Sequence, residues 1–110
     1  MDEQATNEVF RALADPTRRA LLTMLSEEAQ PVSALTAHFE MTQPAVSQHL
    51  KVLKDAGLVT QRRNGRNQIY ALDPEPLRHV ADWLEQHVEF WTTRFDNLGR
   101  LLREKHGTDA

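Results

Sequence analysis

Side chains that both donate and accept hydrogen bonds recur near the middle of the chain. Residues 42–57 read Thr-Gln-Pro-Ala-Val-Ser-Gln-His-Leu-Lys-Val-Leu-Lys-Asp-Ala-Gly, in which Gln43, Ser47 and Gln48 carry amide and hydroxyl groups. Such groups match the donor and acceptor patterns of base edges in a DNA major groove. We therefore take these three residues as candidates for base contacts. A polar face that meets only solvent is the alternative.

The neighbouring Thr42 and Lys51 fit a different task. A hydroxyl and an ammonium group suit phosphate, and phosphate contacts position a protein on DNA without reading its sequence. His49 either packs against other residues or bonds a phosphate, and since histidine titrates at about pH 6.5 an effect of pH stays open. Arg18 and Arg19 can also reach phosphate, although an exposed arginine is more often solvated.

The same stretch has an apolar side, which indicates the element that presents the polar groups. Val46, Leu50 and Leu53 fall at i, i+4 and i+7, which is the spacing of one buried helix face. The sequence therefore predicts a helix over 43–56 with Thr42 as its N-cap, since a threonine oxygen can accept from a free N–H of the first turn.

Three shorter helices are predicted before it. The first runs from Thr6, its N-cap, to about Ala14. The second is opened by Asp15 as N-cap and by Pro16 at the first helical position. The third, over 32–39, forms a helix-turn-helix pair with the helix over 43–56.

A basic hairpin is predicted after the pair. Two extended runs, 58–63 and 68–72, flank an Asn-Gly turn that favours positive φ. Its arginines suit phosphate or a narrow minor groove, with Arg66 at the turn as the best minor-groove candidate. Charged residues that only protect an edge strand are the alternative. The hairpin candidates are Arg62, Arg63, Asn64, Arg66 and Asn67.

A long helix is predicted over 74–105, capped by Asp73, with two prolines in its first turn. Its apolar residues alternate in steps of four and three, which is a heptad-like seam longer than a small domain can cover. We expect subunit association rather than packing on its own domain. The seam residues are Leu77, Ala81, Leu84, Val88, Trp91, Phe95, Leu98 and Leu102.

Charge is distributed unevenly along the chain. The 110 residues carry a net charge of −3, yet residues 42–72 carry five Lys or Arg against one Asp. This concentration steers a polyanion to one surface. The length fits a single domain over 1–110. No apolar run approaches the roughly 18 residues of a membrane span, and the acidic N-terminus differs from an export signal, so we expect a cytoplasmic protein.

Three segments together resemble the ArsR/SmtB family of bacterial winged-helix repressors. They are Phe-Arg-Ala-Leu-Ala-Asp-Pro-Thr-Arg-Arg-Ala-Leu-Leu from residue 10, residues 42–59, and Arg-Arg-Asn-Gly-Arg-Asn-Gln-Ile-Tyr from residue 62, and the likeness covers about 6–104. The resemblance implies a mainly α fold, a winged helix-turn-helix of about five helices with a two-stranded β-hairpin wing. It also implies dimerisation through the first and last helices, over 6–14 and 74–105. Besides seam residues, Val9 and Phe10 of the first helix are the dimerisation candidates, with simple packing in the core as the alternative for this helix.

Other chemistry finds little support. The chain has no cysteine, which excludes disulfides and thiolate metal sites. His79, Asp82 and His87 fall short of a zinc ligand set, so we predict no metal and no cofactor, with a metal-responsive repressor as an alternative. Ser47 and His49 face different directions on a helix and the glycines are scattered, which argues against an enzyme.

The sequence as a whole predicts a homodimeric repressor that binds an inverted-repeat operator in double-stranded DNA. A winged-helix protein-interaction module is the rival prediction, but such a helix should present apolar residues outward. The sequence does not identify the operator, the regulated genes or any small-molecule or protein effector.

Overall fold

The computed structural model describes residues 2–105, except for the side chains of Trp91, Phe95, Leu98 and 103–105. Three of the predicted dimerisation residues, Trp91, Phe95 and Leu98, therefore have side chains outside the described part. The elements in chain order are α1 (Glu3–Leu13), α2 (Pro16–Glu27), β1 (Gln30–Pro31), α3 (Val32–Thr36), α4 (Gln43–Asp55), β2 (Val59–Asn64), β3 (Asn67–Leu72) and α5 (Glu75–Lys105). The mainly helical winged-helix prediction is confirmed.

The chain divides into two compact units between His79 and Val80, inside α5. The single domain over 1–110 stays a prediction. No helix within residues 2–105 is both long and apolar enough to cross a bilayer.

The first helix begins earlier than its predicted start. The carboxylate of Asp2 accepts a hydrogen bond from the backbone N–H of Ala5 at 2.7 Å and caps α1. Thr6 is inside the helix, where its hydroxyl donates to the carbonyl of Asp2 at 3.0 Å. The predicted N-cap was wrong because aspartate is the stronger cap and three helix-compatible residues follow it.

The second and fourth helices begin where the sequence predicts. Asp15 accepts from the N–H of Arg18 at 3.0 Å, and Pro16 follows at the first helical position. Thr42 accepts from the N–H of Ala45 at 3.3 Å. Gly57, with φ of +80°, ends α4 in a conformation that few other residues tolerate.

The sheet contains a strand that the sequence analysis missed. β1 pairs antiparallel with β3 through Gln30 and Tyr70, so the strand order is β1-β3-β2 rather than a two-stranded hairpin. Two residues are too few to show alternation, and a proline suits an edge strand because it lacks an N–H. The third helix is also shorter than predicted, ending at Thr36 instead of 39. The N–H groups of His38 and Phe39 bond to carbonyls three residues back rather than four, so the chain turns there instead of continuing the α-helix.

The hairpin closes over a two-residue loop. Asn64 pairs with Asn67, which leaves Gly65 and Arg66 between the strands. Gly65 has φ of +64°, whereas no residue other than glycine has positive φ among those described. The sequence predicted a turn centred on Asn64 and Gly65. The observed loop is Gly65 and Arg66, one residue later, because Asn64 still pairs within the strand.

Apolar side chains from α1 to β2 form the core of the first unit. Val46, Leu50 and Leu53 of α4 have no exposed surface, as their spacing predicts. The other fully buried large side chains are those of Val9, Leu21, Leu35 and Leu58. Burial of this kind contributes roughly 1.5–3 kcal/mol per large side chain and fixes the rotation of α4 about its axis.

Candidate nucleic-acid interface

Helix α4, which we call the reading helix, presents polar groups away from the core. Because its apolar face is fully buried, Gln43 and Gln48 are exposed and Ser47 is half-buried. These three candidates for base contacts lie in the first two turns. The structure thus places donor and acceptor groups at the N-terminal part of the helix, the part that enters a major groove in helix-turn-helix proteins.

Lys51 lies one turn further along the reading helix. Its ammonium is 3.0 Å from a carboxylate oxygen of Asp55, and both side chains are about two-thirds exposed, at 66% and 65%. An exposed pair at i, i+4 contributes little to stability. The ammonium is therefore available to exchange this carboxylate for a phosphate at small cost.

His49 contacts the start of α2 rather than being presented with the reading residues. Its Nδ1 lies 3.4 Å from Nη1 of Arg18 and 3.8 Å from Oδ2 of Asp15, and its side chain is only 25% exposed. Of the two roles that the sequence left open, packing and phosphate binding, this position favours packing.

Arg18 and Arg19 have roles that the sequence analysis missed. Arg18 donates from Nε to the carbonyl of Ala12 at 2.8 Å and from Nη2 to that of Arg11 at 3.1 Å. Arg19 donates to the carbonyl of Leu13 at 2.8 Å. Both guanidinium groups thus donate to carbonyls at the end of α1, where a helix leaves backbone acceptors with few helical partners. In the protomer these contacts account for both side chains, although Arg19 stays exposed. The signal was present in the short break between two predicted helices.

The carboxylate of Asp15 is held in its charged form. The backbone N–H of Arg18 lowers the pKa of Asp15 below its ordinary value, and attraction to His49 and Arg18 acts in the same direction against partial burial. A charged carboxylate at the start of α2 also matches the positive end of the helix dipole.

Strands β2 and β3 with the loop between them, which we call the wing, carry basic side chains on both faces of β2 and at the tip. Cross-strand pairing puts Arg63 on the face of Gln68, and Arg62 on the opposite face with Ile69. Arg66 lies in the loop at the tip. The side chains of residues 62–67, which include Asn64 and Asn67, are exposed.

A chain of hydrogen bonds joins the reading helix to the wing. Nζ of Lys54 donates to Oε1 of Gln61 at 3.1 Å, and Nε2 of Gln61 donates to Oε1 of Gln68 at 3.0 Å. The sequence analysis singled out none of these three residues, since their contact requires α4, β2 and β3 to be placed first.

The histidines of the last helix have partners on their own helix. His79 lies 3.8 Å from Glu75, and His87 places Nδ1 2.7 Å from the carbonyl of Trp83 and stacks on its ring. Within the described part of the chain, no three His, Asp or Glu side chains are grouped to hold a metal ion.

Comparison with known proteins agrees with this geometry. The family model for bacterial regulatory proteins of the arsR family matches residues 15–61. The chain is 37% identical over 107 residues to the HTH-type transcriptional regulator Rv2034 of Mycobacterium tuberculosis, covering 97% of this chain and 96% of that protein. It is 33% identical over 78 residues to the transcriptional repressor SdpR of Bacillus subtilis, covering 71% and 87%.

Solved structures give the same result. The crystal structure of the ArsR family transcriptional regulator RHA00566 superposes with a TM-score of 0.77 at 37% identity, covering 84% of this chain and 95% of that one. The solution structure of a homodimeric winged helix-turn-helix DNA-binding domain, Mb0332 of Mycobacterium bovis, superposes with a TM-score of 0.64 at 28% identity, covering 79% and 84%.

Proposed function

The chain belongs to the ArsR family of bacterial regulatory proteins, and on this premise we propose that it is a homodimeric repressor of an inverted-repeat operator. As a member of this family, it is a DNA-binding transcriptional regulator and not an enzyme.

The observation that carries the proposal is the fixed rotation of the reading helix. Three fully buried apolar residues hold one face inward, which turns Gln43, Ser47 and Gln48 outward together. In the major groove a glutamine amide pairs best with adenine, because one side chain then makes two hydrogen bonds to one base. Thr42 and Lys51 bind the flanking phosphates, which set the register of the helix.

The wing supplies the second set of contacts. Arg62 and Arg63, on opposite faces, reach the phosphates on either side of the hairpin, while Arg66 and Asn67 at the tip enter or approach the minor groove. A guanidinium suits a narrow minor groove because the electrostatic potential there is strongly negative. His49 is not part of this contact set, because it packs against Asp15 and Arg18 at the start of α2.

A second copy of the chain is proposed to cover the apolar surface of α5. Leu84 and Val88 are 42% and 59% exposed in the protomer. Leu77 and Phe10 are half-buried and contribute part of their surface. Trp91, Phe95 and Leu98 stay in the proposed set on their sequence spacing alone, since their side chains lie outside the described part. Val9 is removed from the set because it has no exposed surface and belongs to the core.

A two-fold dimer presents two reading helices to one side of a duplex. Half-sites then recur at about 34–36 Å or a multiple of that distance, which makes the operator an inverted repeat. Repression is steric in this proposal, because a dimer on a promoter blocks polymerase. The relative SdpR of Bacillus subtilis is named a transcriptional repressor, which supports repression as the outcome of binding. A bacterial regulator of this kind acts in the cytoplasm, where the chromosome lies.

Selection from a random duplex library tests this function. We expect the recovered sequences to contain an inverted repeat, and the complex to contain two chains per duplex by analytical ultracentrifugation. Scrambling one half-site should reduce affinity, and raising salt should weaken binding steeply because phosphate contacts release counterions. Recovery of unrelated sequences, or a complex of one chain, would contradict the proposal.

A further inference from the structure

We propose that Gln61 is a positioning residue, which holds the wing at a fixed orientation to the reading helix and thereby lets both contact DNA together. The inference rests on the DNA-binding mode proposed above and deepens it. Gln61 itself faces the protein and contacts no nucleic acid in this mode.

One amide connects three elements. Oε1 of Gln61 accepts from Lys54 in the last turn of α4, at 3.1 Å, and its Nε2 donates to Gln68 on β3, at 3.0 Å. Both polar ends of the side chain are thus used, one toward the helix and one toward the neighbouring strand. A glutamine can do this because its amide carries a donor and an acceptor at opposite sides.

The base of the wing is already anchored by the core. Leu58 and Val59 are buried, and the N–H of Leu58 donates to the carbonyl of Leu53 at 2.9 Å. Beyond Gln61, every side chain of residues 62–67 is exposed. Gln61 therefore lies at the boundary between the anchored base and the exposed tip that carries the arginines.

The tip has no third strand beside it, because β1 pairs only with Ile69 and Tyr70, and two strands by themselves are only marginally stable in water. A flexible tip must lose its motion when it binds DNA, and this loss weakens binding. Tying the wing to α4 removes part of that motion before binding occurs. It also couples the two contact sets, so that a correctly seated reading helix brings Arg66 to its groove.

The link also accounts for the direction of Lys54. Its ammonium is turned toward the wing, unlike that of Lys51, which pairs within the reading helix. A lysine in the last turn of α4 stabilises the negative end of the helix dipole as well. Lys54 and Gln61 should consequently act as a pair, with effects on binding that are not additive.

The test combines Gln61→Met with Arg66→Ala on a duplex selected from a random library. Methionine keeps the length of glutamine but neither hydrogen bond. We expect Gln61→Met to weaken binding about threefold to tenfold, the range for one or two lost hydrogen bonds. In that background, Arg66→Ala should no longer reduce the slope of log affinity against log salt by about one.

Two variants make the test specific. The double variant Lys54→Gln with Gln61→Lys exchanges the two side chains, so the net charge is unchanged and one residue can still donate to the other. It should therefore recover most of the affinity that Gln61→Met loses. Thr60→Val, on the opposite face of β2 and exposed, should bind as the unaltered protein does.

The outcomes separate this inference from the function on which it rests. If the unaltered protein binds no duplex, the proposed function fails and the inference with it. If that protein binds but Gln61→Met binds equally well, the inference alone is overturned. A Gln61→Met protein that unfolds at lower urea yet keeps the full response to Arg66→Ala assigns Gln61 to folding and overturns it too.

Discussion

Nη1 of Arg18 lies 3.4 Å from Nδ1 of His49 and links the end of α1 to the middle of the reading helix. The same guanidinium donates to the carbonyls of Ala12 and Arg11. One side chain near the start of α2 therefore contacts both the first helix and the helix proposed to read DNA. Because α1 is also predicted to take part in dimerisation, this contact gives a physical connection between the subunit interface and the reading helix.

Arg18→Met should lower the free energy of unfolding by about 2 kcal/mol, because two carbonyls at the end of α1 lose a charged donor. Urea denaturation followed by circular dichroism measures the change. Arg19→Met is the matched control, since Arg19 is exposed and donates to one carbonyl. If Arg18→Met lowers the free energy of unfolding no more than Arg19→Met does, the stabilising role of the two Arg18 hydrogen bonds is contradicted.

Gln48→Ala should weaken binding to the selected operator by about 1–3 kcal/mol and leave binding to random DNA almost unchanged. The reason is that a base contact discriminates sequence whereas a phosphate contact does not. Fluorescence anisotropy on the two duplexes measures the difference. Gln4→Ala, an exposed glutamine of α1, is the control, and equal losses on both duplexes at Gln48 would show that it reads no base.

Arg66→Ala should weaken binding on every duplex and reduce the slope of log affinity against log salt by about one. The measurement is a titration at several salt concentrations. Arg78→Ala removes the same charge from an exposed arginine that pairs with Glu75 in α5, so it controls for net charge. An unchanged slope in the Arg66 variant would remove Arg66 from the residues that contact DNA.

Leu84→Ala and Val88→Ala should shift the dimer toward monomer and lower operator affinity together. Each variant has a smaller apolar side chain, so less apolar surface is buried when the second copy binds. Sedimentation equilibrium gives the dissociation constant of the dimer. Gln86→Ala on the same helix is the control. A dimer that is equally tight in the Leu84 and Val88 variants would mean that the seam has been assigned to the wrong residues.

Acid should destabilise the protein partly through Asp15. Since its pKa is lowered in the folded state, mainly by the N–H of Arg18, the unfolded chain takes up the proton first as pH falls. The contribution of Asp15 is complete above the ordinary carboxyl pKa of about 4 and is lost as pH falls through the lower folded value. Asp15→Asn keeps an oxygen that can cap α2 but removes the carboxyl group that titrates. The free energy of unfolding of this variant should therefore fall less steeply as pH decreases. Urea denaturation at several pH values below 5 measures the difference.

Local rules were sufficient for the reading helix. Its N-cap, its apolar spacing and the glycine at its end all act within a few residues, so the bounds predicted from sequence, 43–56, differ by one residue from the observed Gln43–Asp55. The same reasoning predicted the wing and the start of α2. Where one local signal competed with another, as between Asp2 and Thr6 for the start of α1, the sequence analysis chose the wrong residue.

The sequence by itself therefore determined the helix-turn-helix, the polar reading face and the basic wing, because periodicity, capping and turn preferences depend on neighbouring residues. Only the tertiary structure decided that Gln30 pairs with Tyr70, that Arg18 meets His49, and that Gln61 bridges Lys54 and Gln68. In each of these cases the partners are separated by at least seven positions. Their contact follows from how helices and strands pack on the shared core, which no short stretch of sequence specifies.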